Sequence, residues 1–329
     1  MNKKVCFILP YFGKFNNYFN LWLLSCKYNP NIHWYIFTDD KRTFDYPENV
    51  FVKYCTFNDI QKRIYKLFGE NIILNKPYDL CKYRVAYNQI FNEITHNYDY
   101  WGYCDCDLIW GDLQSTLAPA FDKEYPKISW KGHMTLFLNI PKLENVYKTQ
   151  LPDCPTFEDC ISIGEKTRYN LFDEVGINKI FDKLKIPIYK DLLFADLKVK
   201  SKNFFCNHFS EKEKIKNKNQ IFVWDTGKLF RLYLLEDQIY KEEFTYIHFL
   251  RRHMENCIST KDIKAFMIIP NKFVQYENPT KEYILINSQD SFYWMYYKQR
   301  LSIKYLIKLL KNKIFRKKLL PDEYLHVIK

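Results

Sequence analysis

Apolar positions in the first third of the chain alternate between two rhythms. Val5-Cys6-Phe7-Ile8-Leu9-Pro10 is a short, unbroken apolar run, as expected of a strand buried on both faces. Tyr18, Leu21, Trp22 and Leu24 then recur at helical spacing, until Asn29-Pro30 ends the pattern. His33 to Phe37 predicts a second strand, closing on Thr38-Asp39-Asp40, and Val50 to Tyr54 a third. Asn58 to Phe68 reads as a helix. Asp79 to Ile94 reads as a stronger one, with Leu80, Tyr83, Tyr87, Ile90, Phe91 and Ile94 on one side. Asp99 to Cys104 is a further strand, and Leu108-Ile109-Trp110 leads away from it after Asp105-Cys106-Asp107. Strand–helix alternation of this kind predicts an α/β fold around a mostly parallel sheet.

In open parallel sheets, ligands sit at the carboxyl ends of the strands. Pro10-Tyr11-Phe12-Gly13, Thr38-Asp39-Asp40 and Asp105-Cys106-Asp107 all occupy such ends. The last is the most telling. Residues two apart on a strand share a face, and a turn after Asp107 would bring both carboxylates to one divalent ion. Hard cations take oxygen ligands and keep positions open for phosphate oxygens. Two solvated loop aspartates are the plain alternative. Against it, both sit between apolar runs, where an unpaired charge is costly.

The second half is less regular. Lys127 to Trp130 and Met134 to Leu138 read as strands around Lys131-Gly132-His133. A helix led by Asp173-Glu174 is expected within residues 167–184. Ile221 to Trp224 and Leu229 to Leu234 flank Asp225-Thr226-Gly227-Lys228 as a β-hairpin. Phe244 to Phe249 predicts a late strand ahead of Arg251 and Arg252. Neither a repeat nor a low-complexity linker interrupts the chain. The economical division is a catalytic domain over 1–260 and an extension over 261–329.

Length and composition narrow the function. The 329 residues allow one large domain with an appendage, and 47% hydrophobic content excludes a disordered chain. Neither G-x-x-x-x-G-K-[ST] nor G-x-G-x-x-G occurs, so P-loop and dinucleotide fingerprints are missing. The first apolar run is too short for a signal peptide, and no run of ~20 apolar residues occurs. A cytoplasmic chain with reduced thiols is therefore expected despite ten cysteines. Cys104 and Cys106 flank Asp105, with no second pair to complete a zinc site.

The formal charge of +12 is unevenly placed. Ser291 to Pro321 carries no acidic residue, while Lys298, Arg300, Lys304, Lys308, Lys311, Lys313, Arg316, Lys317 and Lys318 are basic. Apolar residues alternate with these at helical spacing over about 291–320, predicting a basic amphipathic helix. It suits the anionic inner face of the cytoplasmic membrane, and a solvated or partner-binding helix is the alternative. Confinement of the charge to one tail, with no RNP-like or zinc-finger pattern, argues against nucleic acid as the partner.

Seven segments together resemble a bacterial GT-A type glycosyltransferase family of capsule and lipopolysaccharide sugar-transfer loci. They are Phe7 to Lys14, Leu21 to Cys26, Phe37 to Asp40, Lys76 to Cys81, Asp105 to Asp112, Lys131 to Leu136 and Tyr246 to Phe249. The resemblance spans residues 5–255 and leaves the basic tail outside. It implies a GT-A fold, a nucleotide-sugar donor (UDP-sugar favoured) and Mn2+ or Mg2+ held by Asp105 and Asp107. His248 matches the later histidine that adds a metal ligand in such enzymes; a core histidine is the alternative. The acceptor would be a glycan or lipid-linked oligosaccharide, and transfer is expected to invert.

Further roles are open at this stage. Pro10, Tyr11 and Phe12 at the first strand end, with Asp39 and Asp40 at the second, are candidate nucleotide contacts. The aspartates could equally cap a turn. Lys82 stands where relatives carry an acidic residue, so either Lys82 or Arg84 reaches the donor. Arg251 and Arg252 are candidate phosphate ligands, or merely solvate a strand end, and His133 is a candidate lining of the sugar pocket, or a plain turn residue. Asp173, or its neighbour Glu174, is the candidate base, although carboxylates at a helix start also suit the dipole. A sugar nucleotidyltransferase and a basic nucleic-acid-binding protein are the rival functions.

Overall fold

A computed structural model describes residues 3–163, 171–198, 201–206, 215–250, 252–259 and 262–290. Its largest element is a seven-stranded mixed sheet in the order β3-β2-β1-β4-β7-β6-β8. β1 (Val5–Pro10) is central, parallel to β2 (Ile32–Thr38) on one side and β4 (Tyr100–Cys104) on the other. β3 (Val50–Tyr54) continues the parallel half beyond β2. β7 (Met134–Leu138) runs antiparallel to β4, followed by β6 (Lys127–Lys131) and β8 (Ile188–Tyr189).

The unbroken apolar run of β1 has its reason in this placement. Val5, Phe7 and Leu9 enter one core with Phe19, Trp22, Trp34 and Trp110. Cys6 and Ile8 enter another with Ile60, Ile64, Tyr83 and Phe91. Helix α1 (Phe19–Lys27) contributes to the first core and α2 (Phe57–Phe68) to the second. Thr56 starts α2 with a reciprocal capping box to Asp59.

One continuous helix over Asp79 to Ile94 does not form. Pro77–Ala86 is a 3-10 helix, followed by two short turns, Tyr87–Ile90 and Asn92–Thr95. The buried positions explain this. Asp79, Lys82 and Val85 form one buried row and Leu80, Tyr83 and Ala86 another. Rows with a spacing of three need three residues per turn, not 3.6.

Two further sheets complete the fold. β5 (Leu108–Trp110) pairs with β13 (Tyr246–His248), which pairs with β9 (Phe194–Asp196). The late strand expected over Phe244 to Phe249 is therefore two: Phe244 ends β12, and β13 begins after Thr245. The six-stranded sheet runs β12-β11-β10-β15-β16-β14. Its members are β10 (Gln220–Asp225), β11 (Lys228–Leu235), β12 (Gln238–Phe244), β14 (Glu255–Asn256), β15 (Ala265–Ile269) and β16 (Lys272–Gln275). β10 and β11 are the expected hairpin, with positive φ at Thr226 and Gly227. This sheet straddles residue 260, where the sequence division was placed, because β15 pairs with β10. The basic segment at about 291–320 lies outside the described residues. Among the described residues, no helix is long and apolar enough to cross a membrane.

Candidate metal centre

β1, β2 and β4 are parallel, so their carboxyl ends lie along one edge of the sheet. At that edge β4 stops at Cys104, and the chain crosses to the three-stranded sheet through Asp105-Cys106-Asp107. The aspartates thus share a turn and not a strand face. The turn is pinned: the Asp105 amide donates to the His133 carbonyl at 3.0 Å and the Phe249 amide to the Asp107 carbonyl at 2.9 Å. The Asn16 side chain donates to the Cys106 carbonyl at 3.0 Å.

β13 delivers His248 to the same point. Its Nε2 lies 3.3 Å from Asp107 Oδ1 and 3.8 Å from Asp105 Oδ2. His248 is 3% exposed at its side chain, whereas the two carboxylates keep 28% and 25%. Asp105, Asp107 and His248 thus offer three ligand atoms within 4.8 Å of one another, opening to solvent on the carboxylate side. Two carboxylate oxygens and one imidazole nitrogen suit a hard or borderline divalent ion such as Mg2+ or Mn2+.

Two of the three candidate ligands, Asp105 and His248, are held from behind. The Arg84 guanidinium pairs with Asp105 Oδ1, leaving Oδ2 to His248. Arg84 also donates to the Gly132 carbonyl at 2.6 Å and to Asp173 Oδ2 at 3.3 Å. On the other side, His248 Nδ1 lies 2.9 Å from Asp196 Oδ1 on β9. Burial disfavours the His248 charge, yet Asp107 and Asp196 outweigh it and push its pKa up to about 10. Burial raises the Asp196 carboxyl, and the two histidines more than reverse this, holding it well below the usual range.

Residues 7–277 match DUF6625, a family of unknown function. The chain belongs to this family. No curated protein and no solved structure matches it.

Other candidates find different places in this DUF6625 chain. Arg84 pairs with Asp105, whereas Lys82 is on a buried row and donates to the Cys160 carbonyl at 3.2 Å. Asp173 is 4% exposed and paired with Arg84. Its burial pushes its pKa up to about 6, against the pull of Arg84. Glu174 accepts the Gly132 amide at 2.8 Å. Both therefore brace the turn between β6 and β7, and their helix opens with a π turn at Phe172–Gly176. His133 lines no open pocket: it is 5% exposed, stacked on His248 at 4.2 Å, with both ring nitrogens unpartnered. Burial, then the His248 charge, hold its pKa well below the ordinary value.

At the first strand ends, exposed Asp39 accepts the Gly13 amide at 2.7 Å. Buried Asp40 accepts the Phe15 amide at 3.0 Å and the Arg42 guanidinium at 2.9 and 3.0 Å. Asp40 thus closes a turn, and with Gly13, Lys14, Asp39, Lys41 and Arg42 it lines an open groove. Tyr11 stacks on Phe15 at 4.7 Å and feels both Asp107 and Asp40. Phe12 packs edge-on against Phe57, and Pro10 ends β1. Arg251 lies outside the described residues. Asp196 was missed in the sequence, although a lone carboxylate in Leu192-Leu193-Phe194-Ala195-Asp196-Leu197 is the same costly pattern that marked Asp105.

Proposed function

We propose that this chain is a GT-A type, metal-dependent glycosyltransferase that moves a sugar from a nucleotide-sugar, UDP-sugar favoured, to a glycan or lipid-linked acceptor in surface polysaccharide synthesis. The observation that carries the reading is the meeting of Asp105, Asp107 and His248 at the carboxyl edge of the parallel half of the large sheet. A divalent cation bound there would neutralise charge on a departing diphosphate. Asp105 and Asp107 supply the hard oxygens and His248 a directed nitrogen. Arg84 adds a fixed positive charge beside Asp105, within the same low-dielectric wall. Lys14 and Lys41 bring cations to the neighbouring groove, beside Asp39 and the paired Asp40 and Arg42, and could meet an anionic nucleotide. Tyr11, within electrostatic reach of both Asp40 and Asp107 and stacked on Phe15, is the aromatic ring that could meet a base. The basic 291–320 segment supports attachment to the inner, anionic membrane face, next to a lipid-borne acceptor.

The test is a manganese-dependent thermal-shift screen across UDP-, GDP-, TDP- and CMP-sugars. A UDP-sugar shift that disappears in Asp107→Ala is expected. If no nucleotide binds with manganese present, the reading fails.

A further inference from the structure

Behind the rim lies a second group of metal-competent side chains, His133, Asp196 and His248, all buried. Either it is another cation site or it serves the first. The ring geometry decides. His133 and His248 are stacked, with centroids 4.2 Å apart and planes 27° from parallel. An imidazole lone pair lies in the plane of its ring, so two nearly parallel rings are poorly placed to aim at one ion. Asp196 Oδ1 also discriminates between them, at 2.9 Å from His248 Nδ1 but 3.9 Å from His133 Nε2. A neutral imidazole has one N–H and one lone pair. A cation at the rim would displace the proton on Nε2; with the Nδ1–H kept by Asp196, the lone pair of the now neutral His248 then falls on Nε2, the atom that faces Asp107 and Asp105.

The geometry points to Asp196 as a positioning residue: by accepting the Nδ1–H of His248 it fixes the tautomer and ring orientation that present Nε2 to a rim cation, with His133 as a stacking support and not a ligand. The fold prepares this arrangement. β9 and β13 are parallel with Asp196 in register with His248, and the Leu197 amide donates to the His248 carbonyl at 3.1 Å. Asp196 is 7% exposed, so its carboxylate has little water to compete for that N–H. His133 packs edge-on against the stacked Phe194 and Tyr246 rings, at 5.6 and 5.5 Å. This inference rests on the metal reading of the rim but needs no nucleotide.

The experiment uses the full chain, labelled with 15N-histidine and loaded with 113Cd2+ alone. Cadmium–nitrogen coupling to His248 Nε2 is expected, with the proton on Nδ1 and no coupling to His133. Asp196→Ala should weaken Cd2+ and Mn2+ binding by about 10–100-fold and mix the His248 tautomers, as loss of such a support typically does. His133→Phe, which keeps the stack but has no nitrogen, should preserve coupling and stoichiometry. Circular dichroism of the metal-free variants checks that they fold, and the wild-type coupling pattern stands without them. Coupling to His248 Nδ1 or to His133, an unchanged affinity in folded Asp196→Ala, or no cadmium binding at all would overturn the inference. Coupling at Nε2 without any response to nucleotide-sugars would sink the transferase reading and leave this one standing.

Discussion

Lys127 is fully buried in β6, where its ammonium donates to the Ser129 carbonyl at 2.6 Å and to Asn178 at 2.9 Å. Burial pulls its pKa down to about 7, against the attraction of Asp173 and Glu174. The unfolded chain holds this proton up to about pH 10.5, the ordinary lysine value, so between pH 7 and 10 it binds more protons than the folded one. Folding stability contributed by Lys127 therefore rises over that window. Urea unfolding of the wild type and Lys127→Met at pH 7 and pH 10 should show the wild type gaining on the variant by roughly 2–4 kcal/mol; an equal difference at both pH values would refute the shift. Single residues also mark how far the sequence was readable. Asp105 and Asp107 were visible because they stand between two apolar runs, where charge needs a partner; His248 entered only through the resemblance to GT-A enzymes. Lys82 and Arg84 could not be separated, because the choice depends on a three-residue turn that places Lys82 on a buried row. Asp196 carried the same signal as Asp105, but only tertiary pairing shows what it faces.

At the scale of elements, β4 is the strand that delivers the Asp105–Asp107 turn, and Gly102 is what lets it sit so close to β7. A Cβ at Gly102 would fall 2.0 Å from the Thr135 carbonyl oxygen and 2.8 Å from the Leu136 side chain. The first contact is with backbone in a central strand pair, so relief requires moving β7 itself. Gly102→Ala should cost about 3 kcal/mol or more, or prevent folding, since overpacking of this kind reaches the upper range of single substitutions; a melting temperature within 2 °C (a threshold of about 1 kcal/mol or less) of wild type would contradict the close packing. The strands of the parallel half were readable from their unbroken apolar runs. The 3-10 segment was not, because aromatic residues at Tyr83, Tyr87 and Phe91 satisfy helical spacing while the buried rows satisfy a tighter one.

Across the whole molecule, the candidate centre takes its parts from the seven-stranded sheet, the three-stranded sheet and the 3-10 segment. An ion that binds only this assembled arrangement stabilises the folded chain by mass action. Manganese alone, at a hundred times its dissociation constant, should add about 2.7 kcal/mol and raise the melting temperature, with EDTA reversing it. Asp105→Ala and His248→Ala should each abolish the increment; its persistence in both would place the ion elsewhere. The pairing of β5 with β13 carries one more consequence. It joins residues about 140 positions apart in the chain. During synthesis both aspartates leave the ribosome well before the histidine exists. A growing chain halted near residue 200 would be a poor chelator, and high affinity would switch on only once the segment around 248 has emerged and threaded in beside its early partners.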